Sequence, residues 1–452
     1  MLDPLYTAAE MRAAEERFPG YPDSVPELME RAGTAVARET MLAHPAARRF
    51  AVVCGGGSNG GDGRIAARVL REAGHDADET SDFEGYDVIV DALFGTGFHG
   101  EPRSDAESLI GRMNEAEAAV VSVDLPSGVD ASTGEVAGAV VHADLTVTFH
   151  APKAGLVIAP GRFHAGRVVV ADIGLEESPT EHRRATLALL RVVPLRRDGD
   201  TKYTAGAVLV VGGQPGMTGA ASLTALAAFR ADAGYVTLAV PAESLPVVET
   251  LALESVKIGW QEESALETIL AAAERMGAVA LGPGLGRGEG RRTLVRELLE
   301  GLEIPAVVDA DALFDLEPVD RSAPTVLTPH AGELSRLLGT ESAWVEAHRL
   351  EAAQQCAERF GAVVVLKGPD TIVAAPGEGV IVSDFGPPSL ATAGTGDVLT
   401  GVVAAFLSKG LEPQLAAAAA AVAHGRAAEL APHRAGLVAG DLLATLPAAL
   451  EA

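Results

Sequence analysis

Residues 50–63 read Phe50-Ala51-Val52-Val53-Cys54-Gly55-Gly56-Gly57-Ser58-Asn59-Gly60-Gly61-Asp62-Gly63. A short, continuous apolar run that meets glycine has the pattern of a strand buried on both faces. It leads directly into a glycine-rich turn, and apolar positions then recur at helical spacing over residues 63–73. Working outward, runs 87–90, 120–123, 145–149 and 168–170 repeat the buried-strand pattern, with a helical pattern at 106–116 between two of them. Strands alternating with helices predict a parallel sheet covered by helices.

A polar, turn-rich stretch from Pro194 to Tyr203 interrupts this grammar, and it restarts at residues 207–211. The expected division is a first domain over 1–193, a linker over 194–202 and a second domain over 203–452. Further strands are predicted at 235–240, 278–281, 306–309, 325–328, 362–366 and 372–375, and helices at 398–407 and 411–430, the latter alanine-rich. The chain of 452 residues is 48% hydrophobic and 21% charged, which is ordinary globular usage, and its net charge of −27 argues against nucleic acid or an anionic membrane as partner. Two cysteines give no disulfide framework and no metal-finger spacing, no apolar run reaches the length of a membrane span, and a cytoplasmic protein is expected. Lysine occurs only at positions 153, 202, 257, 367 and 409.

Three loops carry the first constellation. Gly55, Gly57 and Gly60 satisfy GxGxxG, a weak motif alone, in a place where backbone amides at a helix N-terminus can meet phosphate. Asn59 and Asp62 are more than such a turn needs. Asp91-Ala92-Leu93-Phe94-Gly95-Thr96-Gly97-Phe98-His99-Gly100 and Asp124-Leu125-Pro126-Ser127-Gly128-Val129-Asp130 follow predicted strands, where ligands bind in open α/β sheets.

Together with Leu28-Met29-Glu30-Arg31-Ala32-Gly33, these loops resemble the NAD(P)H-hydrate epimerase domain, which is Rossmann-like with three layers. The resemblance implies that Ser58, Asn59, Gly60, Gly61, Asp62, Gly95, Thr96, Gly97, Phe98, His99, Gly100, Glu101 and Asp124 line the hydrated dinucleotide. It also implies that Asn59, Asp91 and Ser127 hold K+. Ser58 stands where that family usually has asparagine. Asp124 is the expected acid–base carboxylate, with Asp62 as second choice.

In the second half, Gly394-Thr395-Gly396-Asp397 opens a helix, an arrangement suited to an anion hole with an aspartate as base. With Gly212-Gly213-Gln214-Pro215-Gly216-Met217-Thr218-Gly219-Ala220-Ala221, the loops around Gly284 and His330, and Lys367-Gly368-Pro369-Asp370-Thr371, it resembles the ADP- or ATP-dependent NAD(P)H-hydrate dehydratases, a ribokinase-like α/β family. The resemblance implies that Ala220, Gly284, Gly286, His330 and Asp397 face the hydrate, and that Lys367, Gly368, Pro369, Asp370, Thr371 and Gly396 hold the nucleotide. Mg2+ with ADP or ATP is expected there, and a homo-oligomer is common for the type.

Both families in one chain imply a bifunctional repair activity: interconversion of the R and S hydrates, then nucleotide-driven dehydration of the S form to NAD(P)H. In that chemistry Asp397 takes the proton of the C6 hydroxyl as it attacks the terminal phosphate. The alternative reading is a ribokinase-like kinase of a small alcohol or vitamin precursor, with a dinucleotide-binding regulatory domain in front.

Overall fold

The computed structural model describes residues 1–433 and 435–451. They form two compact units: one comprises Pro4–His182 with Glu346–Arg349, the other Met1–Asp3, Arg183–Val345 and Leu350–Ala452.

In the first unit six parallel strands lie in the order Asp76–Glu79, Arg49–Cys54, Val88–Ala92, Ala119–Val123, Leu145–Phe149, Arg167–Ala171. Because side chains alternate along a strand, Phe50 and Val52 enter one core with Leu28, Val36 and Leu70. Ala51 and Val53 enter the opposite core with Ile110 and Met113. Two buried faces explain why the strand reads as an unbroken apolar run. The edge strand Asp76–Glu79 escapes sequence reading because its residues, Asp-Ala-Asp-Glu, bury only Ala77.

The helix after the glycine turn spans Ser58–Glu72, five residues earlier than the sequence pattern suggests. Glycine is a poor helix former in solution, but here close packing demands it. A Cβ on Gly60 would stand 2.0 Å from the Gly55 carbonyl oxygen, and one on Gly61 would stand 1.9 Å from Cε of Met29 on the helix Val25–Ala43. Glycine therefore closes the strand–turn–helix unit.

The second unit is built on a longer sheet. Its central strands run in the order Thr325–Leu327, Ala306–Val308, Ala278–Leu281, Ala207–Val211, Tyr235–Pro241, Val256–Trp260, all parallel. Val363–Leu366 continues it in parallel, and Thr371–Ala374 and Ile381–Ser383 follow antiparallel. His182–Ala185 and Leu2–Leu5 complete that edge. Residues 183–193, grouped with the first domain in sequence, contribute Leu189, Leu190 and Val193 to the core of the second unit. The alanine-rich stretch is the helix Pro413–Glu429, with Ala416 to Ala420 fully buried. Gly401 lets the helix Thr395–Ser408 approach Thr218–Arg230, since a Cβ there would lie 2.2 Å from the Thr224 carbonyl oxygen. Among the described residues no helix is long and apolar enough to cross a membrane.

In both sheets the strand order reverses beside the first strand of the doubly wound core: next to Arg49–Cys54 in one, next to Ala207–Val211 in the other. Such a switch point opens a crevice at the carboxyl ends of the strands.

Replacing Gly60 by alanine is expected to destabilise the first unit by about 1–3 kcal/mol through overpacking against fixed backbone. Chemical denaturation measures this, and an unchanged midpoint would show that the turn re-forms without cost.

Candidate active sites

The first crevice is a cleft of about 920 Å³. Of the residues expected to line it, Ser58, Asn59, Asp62, Gly95, Thr96, Gly97, Phe98, His99, Glu101 and Asp124 do so. Gly60, Gly61 and Gly100 are not on its wall, and the first two serve the packing described above. Phe94 and Phe98 stack with centroids 4.7 Å apart and give the cleft an aromatic side. His99 is held at the rim by Asp130, with Nδ1 to Oδ2 at 2.7 Å.

Asp124 ends the strand Ala119–Val123 in a left-handed conformation, φ 68°, a costly geometry for a non-glycine residue and one that concentrates at functional sites. Its Oδ1 accepts from Lys153 Nζ at 2.5 Å and from Thr148 Oγ1 at 2.9 Å. Lys153 is fully buried and donates also to Thr148 Oγ1 and the Phe149 carbonyl oxygen. Asp62 lies close enough to feel both: burial first, then the Asp124 and Glu15 charges, push its carboxyl up to about 8 against the pull of Lys153. Glu15, also on the cleft wall, is raised by burial and by Asp124.

Behind this wall Asp91 is wholly buried and accepts four hydrogen bonds, from Ser122 Oγ, Ser127 N, Ser127 Oγ and Leu93 N. Burial still holds its carboxyl above the ordinary range. Asn59 Nδ2 donates to the Phe94 carbonyl oxygen at 2.7 Å, and Ser127 Oγ reaches the same oxygen at 3.4 Å. Asn59, Asp91 and Ser127 thus form one knot of oxygen donors around a buried carboxylate, with no cation paired to it among the described residues. That donor set fits a hard cation such as K+. No cluster of three or more His, Cys, Asp or Glu side chains with metal-site geometry occurs among the described residues.

The second constellation gathers at the carboxyl ends of the longer sheet. Lys367, at the end of Val363–Leu366, donates from Nζ to Asp309 Oδ1 at 2.9 Å and stands 3.9 Å from Glu333 Oε2. Asp309 Oδ2 is taken by Thr400 Oγ1 at 2.8 Å. Burial opposes the Lys367 charge, but Asp309 and Glu333 hold its pKa above the usual value. For Asp397, in the first turn of Thr395–Ser408, burial and the Asp309 charge push the carboxyl up to about 7 against the pull of Lys367. A Cβ on Gly396 would lie 3.4 Å from Lys367 Nζ, so the Gly396 backbone passes close to the lysine.

The other predicted residues are placed as follows. Gly284, φ 62°, passes under Met217, and its carbonyl oxygen accepts from Gln214 N, while a Cβ on Gly286 would strike the Gln214 side chain. Gly286 N donates to Asp311 Oδ2, and Arg287 Nε meets Asp311 Oδ1 at 2.6 Å. Ala220 sits in the first turn of Thr218–Arg230. His330 caps the helix Ala331–Leu338: Nδ1 accepts from Gly332 N and Glu333 N, and Nε2 stands 3.5 Å from Glu333 Oε1. In the turn, Gly368 and Pro369 are exposed, Asp370 is buried, and Thr371 begins the next strand.

Lys153 and Glu15 are missing from the residues that the sequence singles out for function, whereas Asp309 and Glu333 stand in strand-end loops of the second constellation with no role of their own assigned. Lys153 carries a signal, as one of five lysines and set in an apolar run, Ala-Pro-Lys-Ala-Gly-Leu. Glu15 carries none, since it belongs to the helix Ala8–Glu16, far along the chain from every loop of the cleft.

Fold and site together define a two-domain α/β enzyme whose second unit has the ribokinase-like arrangement. A family model described as NAD(P)H-hydrate dehydratase matches residues 208–448, and one described as YjeF-related protein N-terminus matches residues 25–81 and 75–155. The bifunctional NAD(P)H-hydrate repair enzyme of Moorella thermoacetica is 39% identical, over 99% of this chain and 96% of that protein. The enzyme of the same description from Escherichia coli is 35% identical over 93% and 88%. Among solved structures, the ADP/ATP-dependent NAD(P)H-hydrate dehydratase from Bacillus subtilis, co-crystallised with ATP/Mg2+, superimposes with a TM-score of 0.55 at 31% identity, covering 59% of this chain and 96% of that one. The chain belongs to the bifunctional NAD(P)H-hydrate repair enzymes and carries both of that family's domains.

Lys153→Met leaves the buried Asp124 carboxylate without its cation and is expected to cost about 3–5 kcal/mol at pH 7. A loss below about 1 kcal/mol in urea unfolding would show that the pair does not carry charge in the folded protein.

Proposed function

We propose that the unit Pro4–His182 epimerises the R and S forms of hydrated NADH or NADPH in its cleft. The second unit dehydrates the S form to NAD(P)H with ADP or ATP, releasing AMP or ADP and phosphate. The observation that carries the reading is the presence of two carboxylates among loops at the carboxyl ends of the two sheets, Asp124 and Asp397, each within the residues that the two family models cover.

In the epimerase, the hydroxyl at C6 of the nicotinamide ring leaves under the push of the ring nitrogen and returns on the other face. Asp124, paired with Lys153, steadies the resulting cation and takes a proton when water returns. Ser58, Asn59, Asp62, Gly95 to His99 and Glu101 line the dinucleotide. Asn59, Asp91 and Ser127 would hold K+, which would neutralise the buried carboxylate.

In the dehydratase, Asp397 removes the proton of the C6 hydroxyl, and the oxygen attacks the terminal phosphate of the nucleotide. The phosphate ester then departs as the ring nitrogen's lone pair closes the double bond. A poor leaving group, hydroxide, has become a good one. Lys367 sits beside the Gly394–Asp397 loop, where its ammonium meets the nucleotide's phosphates while Gly396 presents its backbone amide. Gly368 to Thr371 border the nucleotide, and Ala220, Gly284, Gly286 and His330 the hydrate. Asp309 and Glu333 are the carboxylates that would meet Mg2+, which would neutralise the charge of the nucleotide's phosphates. The B. subtilis relative, co-crystallised with ATP/Mg2+, supports this assignment. The chain works in the cytoplasm as a homo-oligomer.

Asp397→Asn is expected to lower nucleotide-dependent dehydration by at least about 100-fold while epimerisation continues, and Asp124→Ala the reverse. Loss of both activities in either variant would contradict the assignment of one reaction to each unit. In the wild type, kcat/KM for dehydration rises with pH and is half-maximal near pH 7, because Asp397 must lose its proton to act. A flat profile between pH 6 and 8 would remove Asp397 as the base. A stable phosphorylated product in place of free phosphate would favour a kinase.

A further inference from the structure

Asp62 is more than a lining residue. It is 8% exposed, it faces the cleft, and its Oδ1 is a buried oxygen with no hydrogen-bond partner. A buried carboxylate left without a donor is costly to keep ionised. The buried Lys153 offsets this only in part, because its ammonium donates to Asp124, Thr148 and the Phe149 carbonyl. The charged groups acting on Asp62 come from three other elements: Glu15 on the helix Ala8–Glu16, Asp124 at the end of Ala119–Val123, and Lys153 at the start of the turn Ala154–Leu156. Two of the three are carboxylates. The cleft therefore holds two neighbouring carboxyl groups in unlike surroundings, one paired and hydrogen-bonded, the other bare, which is the arrangement that separates a base from an acid.

We propose that Asp62 is the general acid of the epimerisation, held protonated and donating its proton to the departing C6 hydroxyl while Asp124 stays anionic. The inference rests on the epimerase reading of this cleft. The C6–O bond breaks with its electron pair on oxygen, which takes the Asp62 proton and leaves as water, while the nitrogen lone pair forms the C6–N double bond. Water then adds to C6 from the other face and gives a proton to Asp124, and the pair returns to nitrogen. Proton exchange with solvent resets the two carboxyls.

The test is epimerisation of a purified single epimer of NADH hydrate by the full chain without nucleotide, followed from pH 5.5 to 9.5 for wild type, Asp62→Asn and Asp62→Glu. The wild type is expected to lose kcat as pH rises through about 8, where Asp62 gives up its proton. Asp62→Asn is expected to lose kcat by at least about 100-fold with KM changed less than about twofold, and to lose the alkaline decline. Asp62→Glu recovers part of kcat and shows its own, displaced decline. Retained kcat in Asp62→Asn, a rise in KM alone, or an alkaline decline that survives the substitution overturns the proposal. Absence of epimerisation by the wild type instead overturns the reading it rests on.

A thermal unfolding series guards against misfolding. Because the folded-state pKa is raised, the carboxyl favours the folded state at low pH and loses that contribution as pH rises through about 8. Asp62→Asn should therefore unfold at a higher temperature than wild type at pH 9. A lower one at every pH shows that Asp62 is kept for structure and overturns the proposal.

Discussion

In each unit one scarce lysine forms its ion pair with one buried aspartate and leaves a second carboxyl outside that pair, unserved except for a weaker pull. Lys153 pairs with Asp124 and leaves Asp62 Oδ1 without a partner; Lys367 pairs with Asp309 and leaves Asp397 outside the pair. The unserved members are the ones whose protons are hard to remove, at about 8 and about 7. A protein with net charge −27 could swamp its clefts with acid, yet what matters locally is which carboxylate the single ammonium reaches. The lysine fixes one charge, and burial then decides the other.

That pairing is possible because the fold delivers unlike residues to one edge. Parallel strands buried on both faces carry little chemistry along their length, so polar groups gather where the strands end. Glycine lets the chain turn there without a side chain in the way: Gly55 passes within a Cβ's reach of the Leu93 carbonyl, and Gly212 does the same with that of Pro283. The helices that follow begin beside the crevice, and their N-terminal amides complement the negative substrate that the carboxylates would repel.

Most of the framework was legible in the sequence. The strands Leu145–Phe149, Ala207–Val211 and Ala278–Leu281 begin and end where their apolar runs do, because burial on both faces leaves no ambiguity of period. The edge strand Asp76–Glu79 was not legible, since an edge asks little of its residues, and the early start of Ser58–Glu72 was hidden by glycines whose partners are distant in sequence. The site divides the same way. Asp62, Asp124, Lys367 and Asp397 stand in loops that announce themselves, whereas Glu15 acquires meaning only through neighbours that folding supplies. His330 shows the converse: a histidine that reads as a ligand contact spends Nδ1 on capping its own helix.

The central claim is that one chain converts both hydrates to the reduced dinucleotide. It is tested most directly by incubating an equal mixture of the R and S hydrates of NADH with the intact protein, Mg2+ and excess ADP, under conditions where spontaneous epimerisation is slow, and following absorbance to its end point. The account predicts rapid recovery of all the NADH, with one phosphate released per NADH formed. Recovery that halts rapidly at the S half, or consumption of nucleotide without free phosphate, would contradict it.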